Sequence, residues 1–214
     1  MPDRNLRMPG PFRRFSGIPW VTVILVAVNV IVFFYIEFTG STEDTDYMIQ
    51  MGGSYAPAIV EQHEYWRMIT HCFLHFGPTH LFNNMISLLI LGYATEGALG
   101  RIRFLVLYLL SGFLAGVTSL FYDIYQGGEA NVSCGASGAI FGLSGAMLIL
   151  LIKMNRGLRT RDVPLYVVFM ALSLYSGVMD PSIDFMGHIG GFFAGVLLCL
   201  VLTIGKKDIR IQNM

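Results

Sequence analysis

Four side chains in this sequence have the chemistry for acyl transfer: Ser137, His188, His80 and Asn84. A neutral imidazole can accept the proton of a serine hydroxyl, which turns a weak nucleophile into an effective one. His80 and Asn84 are four residues apart and so share one helical face. Both offer N–H donors without bringing a permanent charge. Such donors suit an oxyanion in a water-poor site, where each is worth about 3–4 kcal/mol in the transition state. The backbone N–H of Ser137, if it opens a helix, adds another donor and the positive end of the helix dipole. Taken singly, each residue has a plainer explanation. A serine in an apolar helix usually back-bonds to a carbonyl, and a histidine or asparagine there can be a cap or interhelical glue. Only their placement together raises a catalytic reading.

That placement is set by long apolar segments. The chain has 214 residues, 54% hydrophobic and 13% charged, with a mean hydropathy of +0.61. A soluble domain of this size carries roughly 25% charged residues. The excess apolar content falls in runs, as in an integral membrane protein. The expected fold class is all-α: a polytopic membrane bundle of six transmembrane helices. The spans are read at 20–38, 79–97, 104–122, 135–152, 164–179 and 185–204. Pro164 opens the fifth, where a missing N–H costs little. The connection 39–78 is too long to be idle. It carries an acidic patch (Glu43, Asp44, Asp46) and an aromatic amphipathic stretch (Tyr65, Trp66, Met68, Ile69, Phe73) suited to the membrane interface. Residues 1–19 read as a short basic tail, 20–205 as one membrane domain and 206–214 as a second basic tail. The first apolar run is longer than a signal-peptide core and is read as a retained anchor.

Lys and Arg give the orientation. Arg4, Arg7, Arg13 and Arg14 precede span one, and Arg101 and Arg103 lie between spans two and three. Lys153, Arg156, Arg159 and Arg161 lie between spans four and five, and Lys206, Lys207 and Arg210 follow span six. With six spans all of these fall on one side, and only Arg67 falls on the other. Both termini are therefore expected in the cytoplasm, with the chain in the plasma or inner membrane. His80, Ser137 and His188 each sit near the start of an even-numbered span, so all three lie at similar depth in the outer part of the bilayer. At about 100° per residue, His188, Gly191 and Gly195 share a face. Gly138, Gly142 and Gly145 lie near the side of Ser137. Gly138-xxx-Gly142 and Gly191-xxx-Gly195 are small-residue spacings that let helix backbones approach.

Three motifs then fall into order: HLFNN at 80–84, GASG at 135–138 and GHIGGFFAG at 187–195. Together they resemble the signatures of rhomboid intramembrane serine proteases. Trp66-Arg67 and Glu96 are similar to further family positions, and the resemblance covers about residues 60–200. It implies a Ser137–His188 dyad without a third acidic member. It also implies an oxyanion hole from His80, Asn84 and the Ser137 N–H, and a cavity-lining role for His75. Phe141 stands where the family often has an aromatic residue, one turn after the serine and able to pack on His188. Gly135, Gly138 and Gly191 support the site. The resemblance implies cleavage of transmembrane protein substrates near the outer membrane face, with no cofactor and no metal. The bilayer is the other partner.

Parts of the pattern also fit other functions. One is a catalytically silent rhomboid-like membrane protein for binding or quality control. Another is a small transporter, against which the polar residues cluster at one depth and no inverted repeat is visible. A metal site from His71, His75 and His80 lacks carboxylate or cysteine support at ligand spacing. His63-Glu64 is not followed by the second histidine of a zinc-protease helix. With zero formal net charge and no basic patch outside the helix-flanking loops, nucleic-acid binding is not indicated. Cys72, Cys134 and Cys199 give no disulfide framework. Ser144, in GLSG at 142–145, mimics GASG two turns deeper with no histidine at that depth, and reads as packing. His63 and His71 read as solvated loop residues, and Trp66 and Arg67 as interface anchors.

Overall fold

The computed structural model describes residues 17–127, 131–154, 162–179 and 183–205. Residues 1–16 of the first expected tail, all of the second (206–214, with Lys206, Lys207 and Arg210) and the cations Arg156, Arg159 and Arg161 lie outside the described residues. The described chain is mostly helical. Six helices are long: α1 (Trp20–Thr39), α5 (Gly77–Leu99), α6 (Arg101–Tyr125), α7 (Ser137–Met154), α8 (Asp162–Met179) and α9 (Phe185–Leu202). Each overlaps one expected span, with ends shifted by no more than a few residues. By length and composition three of them can cross a membrane: α1, α6 and α9. Exposed apolar side chains such as Ile24, Ile31 and Phe34 on α1, Ile102 on α6, Leu165 and Leu172 on α8, and Phe193 and Leu197 on α9 cover the outer surface of the long helices. Apolar exposure on that scale suits lipid, not water.

Helix α7 is the centre of the bundle. Ala139, Leu143, Ala146 and Leu150 are buried, and so are Ile140, Met147 and Leu151 on its other sides. A helix apolar all round is one with neighbours all round. Leu88 from α5 and Phe104, Leu107 and Tyr108 from α6 complete the core against it. The α7–α9 contact is backbone on backbone. A Cβ added to Gly191 would overlap the Gly138 carbonyl, and one added to Gly195 would overlap the Gly142 carbonyl. The sequence offset is the same at both points, so α7 and α9 run parallel and start at the same end.

The start of α1 is closed by the end of α5. Pro19 offers α1 no side-chain cap. Glu96 reaches over instead, accepting from Val21 N at 3.2 Å, Thr22 N at 2.8 Å and Thr22 Oγ1 at 2.7 Å. A carboxylate at a helix N-terminus satisfies bare N–H groups and meets the positive end of the dipole. Gly92 leaves room for Thr22, since a Cβ there would sit 2.7 Å from Thr22 Oγ1.

The connection between α1 and α5 is folded, not a plain loop. It holds α2 (Thr45–Gln50), strand β1 (Ser54–Tyr55), α3 (Ala56–Val60), α4 (Arg67–Thr70) and a 3-10 turn (His71–Phe73). Strand β1 pairs antiparallel with β2 (Val132–Ser133), Ser54 opposite Ser133, so the helical fold carries one short ladder. Arg67 organises this region from within. It is 5% exposed, and its Nη1 donates to Ile49 O at 2.5 Å and Gly53 O at 3.0 Å. Its Nη2 pairs with Glu64 Oε2 at 2.5 Å. That corrects the expectation of an interface anchor: the guanidinium is turned inward because two carbonyls and a carboxylate there satisfy it. Trp66 beside it is exposed.

Candidate active site

The site lies where α7 and α9 begin. His188 Nε2 stands 2.8 Å from Ser137 Oγ, within hydrogen-bond reach. Phe141, one turn along α7, stacks on the His188 ring with centroids 4.2 Å apart and planes 22° from parallel. His188 Nδ1 has no partner among the described residues, so the imidazole is steadied by stacking and by its place on the helix, not by an acid on its far side. The separation depends on the glycine contact below it. Gly138 and Gly191 let the two backbones meet, and the side chains one and three residues earlier can then touch.

The turn into α7 is built on Gly135, whose φ is +144°. A Cβ there would lie 2.9 Å from His80 Cε1, 3.1 Å from His80 Nε2 and 3.5 Å from Ser137 Oγ. The His80 ring and the serine hydroxyl therefore converge on the space beside Gly135. Asn84, buried on the next turn of α5, donates from Nδ2 to His80 O at 3.1 Å, which leaves its second amide hydrogen for another acceptor. Ser137 is the first residue of α7, and first-turn N–H groups have no intrahelical acceptor.

His75 is fully buried beneath this turn and receives Ala136 N–H at 3.4 Å on Nε2. Its ring meets that of His80 edge-on at 5.2 Å. Burial, and secondarily the nearby His80, lower its pKa to about 3. His71 corrects a sequence expectation. It is 3% exposed rather than solvated, because its carbonyl accepts Gly135 N–H at 2.9 Å and its ring packs beside Gly116 of α6. Burial lowers its pKa to about 4, against an opposing pull from Asp184. His63 is exposed and pairs with Tyr65.

A narrow cleft with room for about one water lies beside the pair, lined by His71, Ala115, Gly116, Ser133, Gly135, Ser137, Gly138, Asp184, Gly187 and His188. His75 is not on that wall, whereas His71 is. Ser133 and Asp184 are lining residues that sequence reasoning passed over. An aspartate directly before an apolar helix is a readable N-cap signal, and Asp184 does cap α9 through Gly187 N at 2.7 Å. Ser133 carries no such local sign. Ser144 turns away from all of this, with its hydroxyl on Ile140 O at 3.1 Å. Cys72, Cys134 and Cys199 are free and buried. Among the described residues no three His, Cys, Asp or Glu side chains converge as a metal set would.

Residues 62–204 match the family model of the Rhomboid domain. The chain is 32% identical over 192 residues to Rhomboid protease GluP of Bacillus subtilis, a match covering 89% of this chain and 36% of GluP. It is 36% identical over 157 residues to RHOMBOID-like protein 1 of Arabidopsis thaliana, covering 72% of this chain and 39% of that one. Against Rhomboid protease AarA of Providencia stuartii the identity is 28% over 223 residues, 94% of this chain and 79% of AarA. The chain thus spans under two fifths of the length of GluP and RHOMBOID-like protein 1. With the family model matching well over half of its residues, the chain belongs to the rhomboid family.

Proposed function

We propose that this integral membrane protein is an intramembrane serine endopeptidase that cuts transmembrane protein substrates near the outer membrane face. The observation that carries the reading is the 2.8 Å approach of His188 Nε2 to Ser137 Oγ inside a cleft. His188 takes the hydroxyl proton as Ser137 Oγ attacks the scissile carbonyl. The oxyanion that forms is held by the Ser137 N–H, the His80 ring and the Asn84 amide. His188 then protonates the leaving amine, and the acyl-enzyme remains on Ser137. Water entering the cleft from the outer side attacks that ester, with His188 again as base, and frees the serine. All six long helices span the bilayer, and both termini face the cytoplasm of a plasma or inner membrane. The basic residues Arg101, Arg103 and Lys153 at the far ends of the helices from Ser137 support that orientation.

The test is labelling of the purified full chain with a fluorophosphonate, followed by peptide mapping, alongside cleavage of a transmembrane reporter. Label on Ser137, lost together with cleavage in Ser137→Ala and His188→Ala, is the expected result. Undiminished cleavage by Ser137→Ala protein would end the proposal, and a wild-type chain that neither cleaves nor takes label would favour a silent, binding role.

A further inference from the structure

The Ser137–His188 contact has a counterpart four residues earlier on both strands of the chain. Ser133 Oγ donates to Asp184 Oδ2 at 2.6 Å, across the same sequence separation of 51 residues as the serine–histidine pair. Ser133 belongs to β2 and leads through Gly135 into Ser137. Asp184 is the N-cap of α9, its Oδ1 accepting Gly187 N–H at 2.7 Å and its carbonyl accepting His188 N–H at 3.1 Å. One carboxylate therefore grips both segments that carry the reacting side chains. Gly187 makes room for it, since a Cβ there would lie 2.5 Å from Asp184 Oδ2. Behind Ser133 the grip continues into β1 at Ser54 and to Gly53, whose carbonyl is held by Arg67. Asp184 is not a third member of a triad, because His188 Nδ1 has no partner among the described residues.

We propose that Asp184 is a positioning residue: by joining Ser133 to the first turn of α9 it holds His188 at proton-transfer distance from Ser137. This rests on the reading of Ser137 and His188 as the catalytic pair. Three glycine contacts, Gly191 on Gly138, Gly195 on Gly142 and Gly145 on Phe192, fix the α7–α9 seam from Gly138 onward, whereas Gly135 before it meets His80 and Ser137 and not α9. The carboxylate supplies the missing fixed point on that side. A displacement of about 1 Å at a reacting pair lowers turnover by on the order of 100-fold.

The experiment compares Ser133→Ala, Asp184→Ala, Asp184→Asn and the Ser133→Ala/Asp184→Ala double variant in the full chain. It reads kcat and KM on the transmembrane reporter, the rate of Ser137 labelling by fluorophosphonate, and the thermal midpoint. Ser133→Ala removes only the bridge and leaves the helix cap. It and Asp184→Ala are expected to lower kcat about 10- to 100-fold with KM within about threefold. The double variant should fall no further than the worse single one, since both remove one link. Asp184→Asn, whose amide can still cap Gly187 and meet the Ser133 hydroxyl, should recover most of the rate. Wild-type turnover in Ser133→Ala, additive losses in the double variant, or an Asn variant as slow as the Ala variant would overturn the role. If the wild-type chain takes no label at Ser137, the proteolytic reading falls and the positioning role falls with it. A labelled wild type with unaffected variants removes the positioning role alone.

Discussion

Gly191 of α9 lies against the carbonyl of Gly138 in α7, so close that no Cβ fits between them. The neighbour is backbone, which cannot swing aside as a side chain would. Gly191→Ala is therefore expected to push the helices apart at the level of Ser137 and His188. Overpacking of this kind costs about 1–3 kcal/mol, and the widened Ser137–His188 gap should cut turnover by about 100-fold or more. Thermal midpoints in detergent and reporter cleavage rates check the two parts separately. A Gly191→Ala protein with wild-type turnover would mean that α9 can rotate past the obstruction.

Ser144 provides the internal control for the nucleophile. Its hydroxyl is occupied by Ile140 O, and its carbonyl accepts from Tyr166 OH at 2.9 Å. Ser144→Ala should leave reporter cleavage within about twofold, since the lost bond is a local back-bond. Loss of activity comparable to Ser137→Ala would place the nucleophile deeper than the cleft.

Asn84→Ala tests the proposed oxyanion donors. Removing one such donor costs on the order of 100-fold in kcat, and KM should change little because the ground-state carbonyl is not yet charged. A KM effect alone would assign Asn84 to substrate binding or helix packing.

Glu96→Ala should act on stability and not on chemistry. Three contacts onto Val21 and Thr22 disappear, leaving buried donors unsatisfied at about 1–3 kcal/mol. Glu96→Gln keeps one acceptor oxygen and should lose less. Denaturation midpoints measured beside cleavage per folded molecule separate the two effects, and a fall in turnover at full folding would contradict this.

Acid should loosen the fold near the site. His71 and His75 are both held neutral by burial, with pKa values lowered from 6.5 to about 4 and about 3. The unfolded chain takes up protons on these rings below about pH 6.5, and the folded chain does not, so folding is progressively disfavoured as pH falls from there towards 4 and 3. Above pH 6.5 their contribution is complete. Thermal midpoints from pH 7.5 downward should decline, and less steeply in a His71→Gln/His75→Gln variant. An unchanged slope in that variant would assign acid loss to other groups.

The long helices were legible because apolar runs of membrane length leave few alternatives, and Gly138, Gly142, Gly191 and Gly195 marked the faces that meet. The connection between α1 and α5 was not legible in the same way. Its shape depends on Arg67 reaching carbonyls 14 and 18 residues away, which no local pattern announces. His71 looked like a loop residue because its burial comes from Gly116 and the Gly135 turn, both distant in sequence. Asp184 carried a cap signal, but its second bond, to Ser133, joins segments that only the folded bundle brings together.

The closure of α1 by Glu96 sets an order of events during synthesis. The helix leaves the ribosome 74 residues ahead of the carboxylate that finishes its start. Through that interval its opening turn has only water or lipid head groups to bond. The first turn of α1 is therefore complete only once α5 is in place beside it.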